Sequence, residues 1–263
     1  MPPTPDPLSP PSSRPATARS TAEHPGSGPA LLEVAHLSVT YANGARGVQD
    51  VSLRVGEGEI IAVLGRNGAG KTSTLRGIGG FLRSEHTTVG GQVVFEGREL
   101  RGAGPTKTFR RGIVLVPERE KVFPALRVSE HLHLAGAHGV RPTAPCAFEP
   151  LERLRDRRAG LLSGGERQML ALEVAWRSQP RLLLVDEASL GLAPVVVKEL
   201  MSRLRSMASE RRTAVILVDQ DASSALRVAD RAYVINHGQV TWEGATNTVS
   251  AADIAREYLG TSR

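Results

Sequence analysis

Gly65-Arg66-Asn67-Gly68-Ala69-Gly70-Lys71-Thr72 fits the pattern G-x-x-x-x-G-K-[ST]. In such a loop the glycines let backbone N–H groups turn inward around phosphate oxygens, and the helix that follows adds its positive end. Lys71 then reaches the β- and γ-phosphates, and the Thr72 hydroxyl is placed to ligate Mg²⁺. The flanks decide the reading. Glu59 to Leu64 reads as a fully buried strand, and a helical stretch starts at Thr72. A mere glycine turn has no need of that context. Gly65, Arg66, Asn67, Gly68, Ala69, Gly70, Lys71, Thr72 and the adjoining Ser73 are therefore the candidate nucleotide contacts.

Downstream, Arg181-Leu182-Leu183-Leu184-Val185-Asp186-Glu187 supplies the second half of such a site. A hydrophobic strand delivers Asp186 to a sheet edge, where it can hold Mg²⁺ through water. Glu187 beside it can polarise the water that attacks the γ-phosphate. Alone, two acids after a strand mark only an exit from the core. A third signal is Leu162-Ser163-Gly164-Gly165-Glu166, in which Ser163 caps a helix and the glycines open its first turn. Whether that turn faces the same nucleotide or another is left open by the sequence.

Around these motifs, Val51, Leu53 and Val55 alternate with Ser52 and Arg54 as a half-buried strand does. Apolar runs at Ile113–Val116, Leu182–Val185, Ala214–Val218 and Ala232–Ile235 alternate with helical segments, which predicts an α/β domain on a mostly parallel sheet. Strand signals vanish between Val128 and Leu162. There Leu132, Leu134, Leu151 and Leu154 predict short helices broken by Pro142, Pro145 and Pro150, a helical insert over about 126–162. Residues 1–29 are dense in Pro, Ser and Thr and read as a disordered tail, because they have almost nothing to bury. The expected domain covers 30–260.

Composition narrows the function classes. The chain has 263 residues, a hydrophobic fraction of 40% and a charged fraction of 23%, ordinary for a globular protein with a real core. Its single cysteine, Cys146, excludes an internal disulfide and a cysteine metal cluster and suits a reducing compartment. No stretch reaches the roughly 20 apolar residues of a membrane-spanning helix. The formal charge of +6 is spread over the chain, with Arg110-Arg111 and Arg211-Arg212 as isolated doublets. Without a long basic run or interleaved aromatics it reads as solvated faces rather than a nucleic-acid surface.

In order and spacing, the three motifs resemble the ATPase subunits of ABC transporters over roughly residues 31–260. The resemblance implies a P-loop NTPase fold with a mostly parallel core, an antiparallel β subdomain and a short helical insert. It implies ATP and Mg²⁺ as cofactors, Glu187 and Gln220 as catalytic residues, and Thr72, Asp186 and Glu118 around the metal. It further implies that Tyr41 stacks on adenine (an edge-strand tyrosine is the alternative). Ser163, Gly164, Gly165 and Glu166 would close on the nucleotide of a second ATPase subunit. Glu118 in Val116-Pro117-Glu118, Gln220 in Leu217-Val218-Asp219-Gln220-Asp221, the run Ala188-Ser189-Leu190-Gly191-Leu192-Ala193-Pro194, Arg231-Ala232-Tyr233-Val234 and the terminal Tyr258-Leu259-Gly260 look like the branched-chain amino-acid uptake branch. That branch implies a paralogous ATPase partner, two transmembrane permeases, a solute-binding protein reached indirectly, and a peripheral place on the cytoplasmic face of the membrane.

Arg119, where a glycine is usual, and Ala188, where a proline is expected, depart from that branch, and the insert is shorter than usual. Gln220 is a neutral donor and acceptor, able to bond phosphate or water but not to carry a proton as histidine does. Glu118 offers a charged oxygen suited to Mg²⁺. The alternative for both is that they only line the site. The same subunit type serving amides or urea is the near alternative. A nucleic-acid or ribosome-associated ATPase is the distant one, and the paired ATPase halves, long coiled-coil arms and zinc cysteines it would carry are not in this sequence. Removal of residues 1–29 is expected to leave nucleotide affinity unchanged, which titration of full-length and truncated chains with an ATP analogue checks.

Overall fold

The computed structural model describes residues 29–82, 87–100, 102–135, 143–248 and 254. Most of the expected tail, the Pro142 end of the insert's break and the terminal Tyr258-Leu259-Gly260 lie outside the described residues.

Ile60–Leu64 forms β3, buried at every position. Such a strand needs a neighbour on each edge and a layer on each face. Its edge neighbours are β8 (Ala214–Val218) and β9 (Arg231–Asn236), both parallel to it. Beyond β8 lie β7 (Leu182–Asp186) and then β6 (Ile113–Val116), again parallel. The other wing is antiparallel. There β1 (Ala30–Thr40) pairs with β2 (Arg46–Gly56) and β4 (Thr88–Phe95), with the short β5 (Arg98–Glu99) at the margin. A final strand, β10 (Gln239–Ala245), runs antiparallel to β9 and meets β2 at Gln239 and Asp50, giving the order β5-β4-β1-β2-β10-β9-β3-β8-β7-β6.

Alternation along the central strands sorts their side chains onto two cores. Ile60, Ala62 and Leu64 face one layer with Leu183, Val185, Val215 and Leu217. Helices α4 (Gly164–Arg177) and α5 (Pro194–Arg211) cover that layer with Leu170, Leu200 and Leu204. Ile61 and Val63 face the opposite layer with Leu182, Leu184 and Ile216, where α1 (Lys71–Gly79) supplies Leu75 and Ile78. The antiparallel strands close this second core with Leu37, Val39, Val48 and Val51. Thus α1 is wedged between the parallel sheet and the antiparallel wing.

Three shorter helices complete the frame: α2 (Pro105–Arg110), α3 (Val128–Ala135) and α6 (Ala222–Val228). The insert differs in part from expectation. Leu132 is buried on α3, but Leu134 on the same helix is exposed. Leu151 and Leu154 sit in a 3-10 turn, Glu149–Leu154, rather than an α-helix. The expected short helix is thus present there in the tighter 3-10 form, the form that short connecting helices often take.

The insert is fastened to α4 by charge. Arg177 and Glu173 are essentially without solvent exposure and pair through Nε and Oε1 at 2.7 Å. Arg177 Nη2 also donates to the carbonyls of Ala144 and Pro145, and the Ala147 N–H donates to Glu173 Oε2. Loop 144–147 is therefore held by both ends of one buried ion pair. Glu173→Ala would strand the guanidinium in the core and orphan the Ala147 N–H. The expected loss is on the order of 3–5 kcal/mol, read as a lower urea midpoint in equilibrium unfolding.

Candidate functional site

The carboxyl end of β3 runs into the glycine loop, and α1 begins at Lys71. Gly70 caps that helix at φ 106°, in the left-handed region, and no side chain caps the first turn. A Cβ at Gly70 would run into the Gly47 carbonyl oxygen, so glycine is demanded by both backbone and space. The uncapped N–H groups at this end of α1 are open to an anion. Lys71 Nζ donates to the carbonyls of Gly65, at 2.9 Å, and Arg66, at 3.1 Å, which folds the ammonium into the loop.

The loop is the floor of a cavity of about 590 Å³. Tyr41, Asn67 to Ser73, Glu118, Glu187 and Gln220 line it, from five separate stretches of chain counting the loop as one. Gly65 is buried behind the lining, and Arg66 is exposed beside it. Asp186, at the end of β7, is 2% exposed and accepts from Thr72 Oγ1 at 3.1 Å. Gln220 Nε2 donates to Glu187 Oε1 at 2.7 Å. Tyr41 Oη and Ser73 Oγ are 2.7 Å apart at the rim. Ser163 to Glu166 are not among the lining residues. They form a capping box at the head of α4, with Glu166 N–H donating to Ser163 Oγ at 3.2 Å and Ser163 N–H to Glu166 Oε2 at 2.6 Å.

Sequence reasoning missed Gly47, Arg119 and Leu190, which also line the cavity. Gly47 lies on β2, and a side chain there would strike the Tyr41 ring and Ser73, a constraint invisible without the fold. Arg119 Nε donates to Glu118 Oε1 at 3.1 Å, so the departure at 119 acts on the very carboxylate expected at the metal. A second cavity of similar size, between α1 and β4, has no titratable side chain among its described lining residues, including Leu37, Ile78, Val89 and Leu100.

Electrostatically the first cavity is strained. Burial pushes the Lys71 ammonium below the ordinary lysine range, while Glu187, Asp186 and Asp219 pull it back up. Burial pushes Asp186 above the ordinary carboxylate range, with Glu187 and Glu118 pushing the same way and the Thr72 hydroxyl opposing. Asp186, Glu187 and Glu118 thus gather at one edge of the cavity, with Lys71, Lys121 and Arg76 acting on them, and that acidic edge suits a divalent cation. Among the described residues no three metal-ligating side chains converge. That fits Mg²⁺, which takes one or two protein oxygens and completes its shell with phosphate and water.

Residues 48–190 match the family described as ABC transporter. The chain belongs to the ABC transporter family. Over 229 residues it is 38% identical to the high-affinity branched-chain amino acid transport ATP-binding protein BraG of Pseudomonas aeruginosa, covering 84% of this chain and 96% of that one. It is 33% identical to the probable branched-chain amino acid transport ATP-binding protein LivF of Archaeoglobus fulgidus, covering 75% of this chain and 85% of the relative. A solved ATP-binding subunit of an ABC transporter superposes with a TM-score of 0.70 at 28% identity, covering 88% of this chain and 95% of that structure. As an ABC ATPase the chain binds and hydrolyses ATP to drive transport, and the expected mostly parallel core with its antiparallel wing is the family's α/β cassette.

The raised Asp186 has a stability consequence. A carboxylate whose folded pKa exceeds its unfolded one lowers stability at pH values above the folded pKa. Asp186→Asn, which can keep the Thr72 bond, is expected to raise the melting temperature of the nucleotide-free chain at pH 7 by a few degrees while abolishing Mg-dependent turnover. The gain should shrink as pH falls through the raised Asp186 pKa toward the ordinary carboxylate range, because the wild-type side chain then protonates. Melting curves across pH check the sign.

Proposed function

We propose that this ABC ATPase drives uptake of branched-chain or related amino acids, with Lys71, Thr72, Asp186, Glu187 and Gln220 as its hydrolytic centre. The observation that carries the centre is the pair of hydrogen bonds, Thr72 to Asp186 and Gln220 to Glu187, across segments 114 and 33 residues apart. Gly65 to Ser73 wrap the phosphates with backbone N–H groups, and Tyr41 at the rim meets the adenine. Thr72 and Asp186 would hold Mg²⁺, with Glu118 near them, and the ion would supply charge neutralisation at the phosphates. Lys71 leaves its carbonyl partners for the phosphate oxygens. Glu187 accepts a hydrogen bond from the attacking water, and Gln220 orients that carboxylate or bonds the γ-phosphate in its place.

The site is completed by a second subunit. Ser163 to Glu166 stand outside the cavity on an ordered helix start, which supports a role on a partner's nucleotide. A paralogous ATPase is the proposed partner, as the departures at Glu118, Gln220 and the run after Glu187 fit the branch that pairs that way. Among the described residues no helix is long and apolar enough to cross a membrane. Attachment to two permeases on the cytoplasmic face is assigned to the surface of Phe123, 65% exposed, and Leu161, 70% exposed. These sit on adjacent segments, since Gly160 N–H donates to the Pro124 carbonyl, and Phe123 follows closely after Glu118 in the chain. A solute-binding protein acts only through the permeases. Amides or urea remain the second reading, because the ATPase does not touch the solute.

Lys71→Ala is expected to abolish tight Mg-ATP binding, whereas Glu187→Gln retains binding and loses turnover by about 100-fold or more. Nucleotide titration and steady-state hydrolysis in the assembled complex separate the two, and near-normal turnover by Glu187→Gln would remove the catalytic assignment. Cells lacking the chain should lose uptake of labelled leucine. Loss of labelled urea or acetamide uptake instead would move the substrate to the second reading.

A further inference from the structure

Asp219 has no part in the site as read from the sequence, yet it is 1% exposed and stands at the end of β8, beside Gln220. Its Oδ1 accepts from Ser189 Oγ at 2.5 Å and from the Asp221 N–H at 3.0 Å. Its Oδ2 accepts from the Ser189 N–H at 3.1 Å. One carboxylate therefore joins two chain segments, the run leaving Glu187 and the turn that carries Gln220. On the near side the same segments are joined by the Glu187 N–H and the Val218 carbonyl, at 2.8 Å. The Gln220 to Glu187 side-chain bond spans the same two segments.

From this geometry we infer that Asp219 is a positioning residue for hydrolysis, a buried clamp that fixes the Glu187 carboxylate and the Gln220 amide relative to each other. A capping role does not explain it, because Asp221 caps α6 with its own side chain toward the Ser223 N–H. The residue type follows from the donors. Two N–H groups and a hydroxyl converge, and an ionised aspartate is an acceptor only, whereas asparagine would turn an NH₂ toward at least one donor. Burial pushes Asp219 above the ordinary carboxylate range, against the Ser189 and Asp221 bonds that pull it down, so the charge is held there at a cost. Glu187 needs such a brace. It sits at φ 50°, in the left-handed region that is uncommon for a non-glycine residue, so its backbone gains from being fixed.

The inference rests on the proposed roles of Glu187 and Gln220, and a double-mutant cycle in the assembled complex, with the chain at full length, tells the two apart. Turnover at saturating Mg-ATP and nucleotide Kd are measured for Asp219→Asn, Gln220→Ala, the double variant and Ser189→Ala. Asp219→Asn should lower kcat by about tenfold with Kd within about twofold of wild type. In the Gln220→Ala background the same change should cost clearly less, about threefold, because one of the two groups that the clamp holds together is gone and only Glu187 still depends on it. An equal loss in both backgrounds, or kcat and affinity falling together, overturns the inference while leaving the Gln220 role intact. Wild-type turnover by Gln220→Ala would instead remove that role and the inference with it. Should Asp219→Asn fail to fold, Ser189→Ala takes its place, with an expected loss of about threefold in kcat at unchanged Kd. Unchanged kcat in that variant overturns the proposal.

Discussion

In-register parallel pairing at the carboxyl end of the central sheet is the constraint on which the rest of the structure depends. Val63 stands opposite Val218, and Val218 in turn opposite Asp186, so the ends of β3, β8 and β7 fall in one row. The glycine loop, Asp219 and Asp186 all leave the sheet along that row. A slip of one residue would turn every side chain of a strand to the opposite core. The double burial of β3, β7 and β8, with alternate residues in the two cores, penalises such a slip heavily. Hydrophobic packing thus sets the ångström-scale position of charged groups that contribute nothing to it.

Those charged groups work against stability. Lys71, Asp186 and Asp219 are all nearly devoid of solvent exposure, and burial opposes the charge on each. Their mutual fields offset only part of that opposition. On the proposed reading, nucleotide phosphate and a divalent cation would bring opposite charges to these groups and relieve a tension already present in the folded chain. The insert solves the same problem differently. There Glu173 and Arg177 bury opposite charges together and use their remaining hydrogen-bonding groups on loop 144–147. The thiol of Cys146 beside them is pushed up to about 11, mainly by burial and the Glu173 charge, so at neutral pH it is a packing group and not a nucleophile.

The site's reach into the antiparallel wing has a similar origin. Helix α1 packs between the two halves of the sheet, so Tyr41 and Gly47 from the β1–β2 hairpin arrive at the loop that starts that helix. The hairpin of β9 and β10 backs the loop as well, through the Gly238 N–H and the Ala69 carbonyl at 2.9 Å. A single glycine loop is therefore shaped from both wings, and the Gly47 carbonyl oxygen occupies the space that a Cβ at Gly70 would need.

The sequence by itself determined the elements whose signal is local. The phosphate loop, the buried strands before it and before Asp186, and the cap at Ser163 each follow from spacing and residue type within a short window. Strand β4 escaped notice because Gly90 and Gly91 interrupt its alternation, and β10 because Gln239, Thr241 and Glu243 leave it barely apolar. The run around Leu151 was legible as a short helix, but its spacing did not distinguish 3-10 from α geometry. Only the tertiary structure placed Gly47 against Ser73 and Asp219 on Ser189. Contacts of that kind join residues with no shared period or spacing along the chain. They exist because sheet order brings the ends of distant strands together, and strand order is set by which faces can be buried at once.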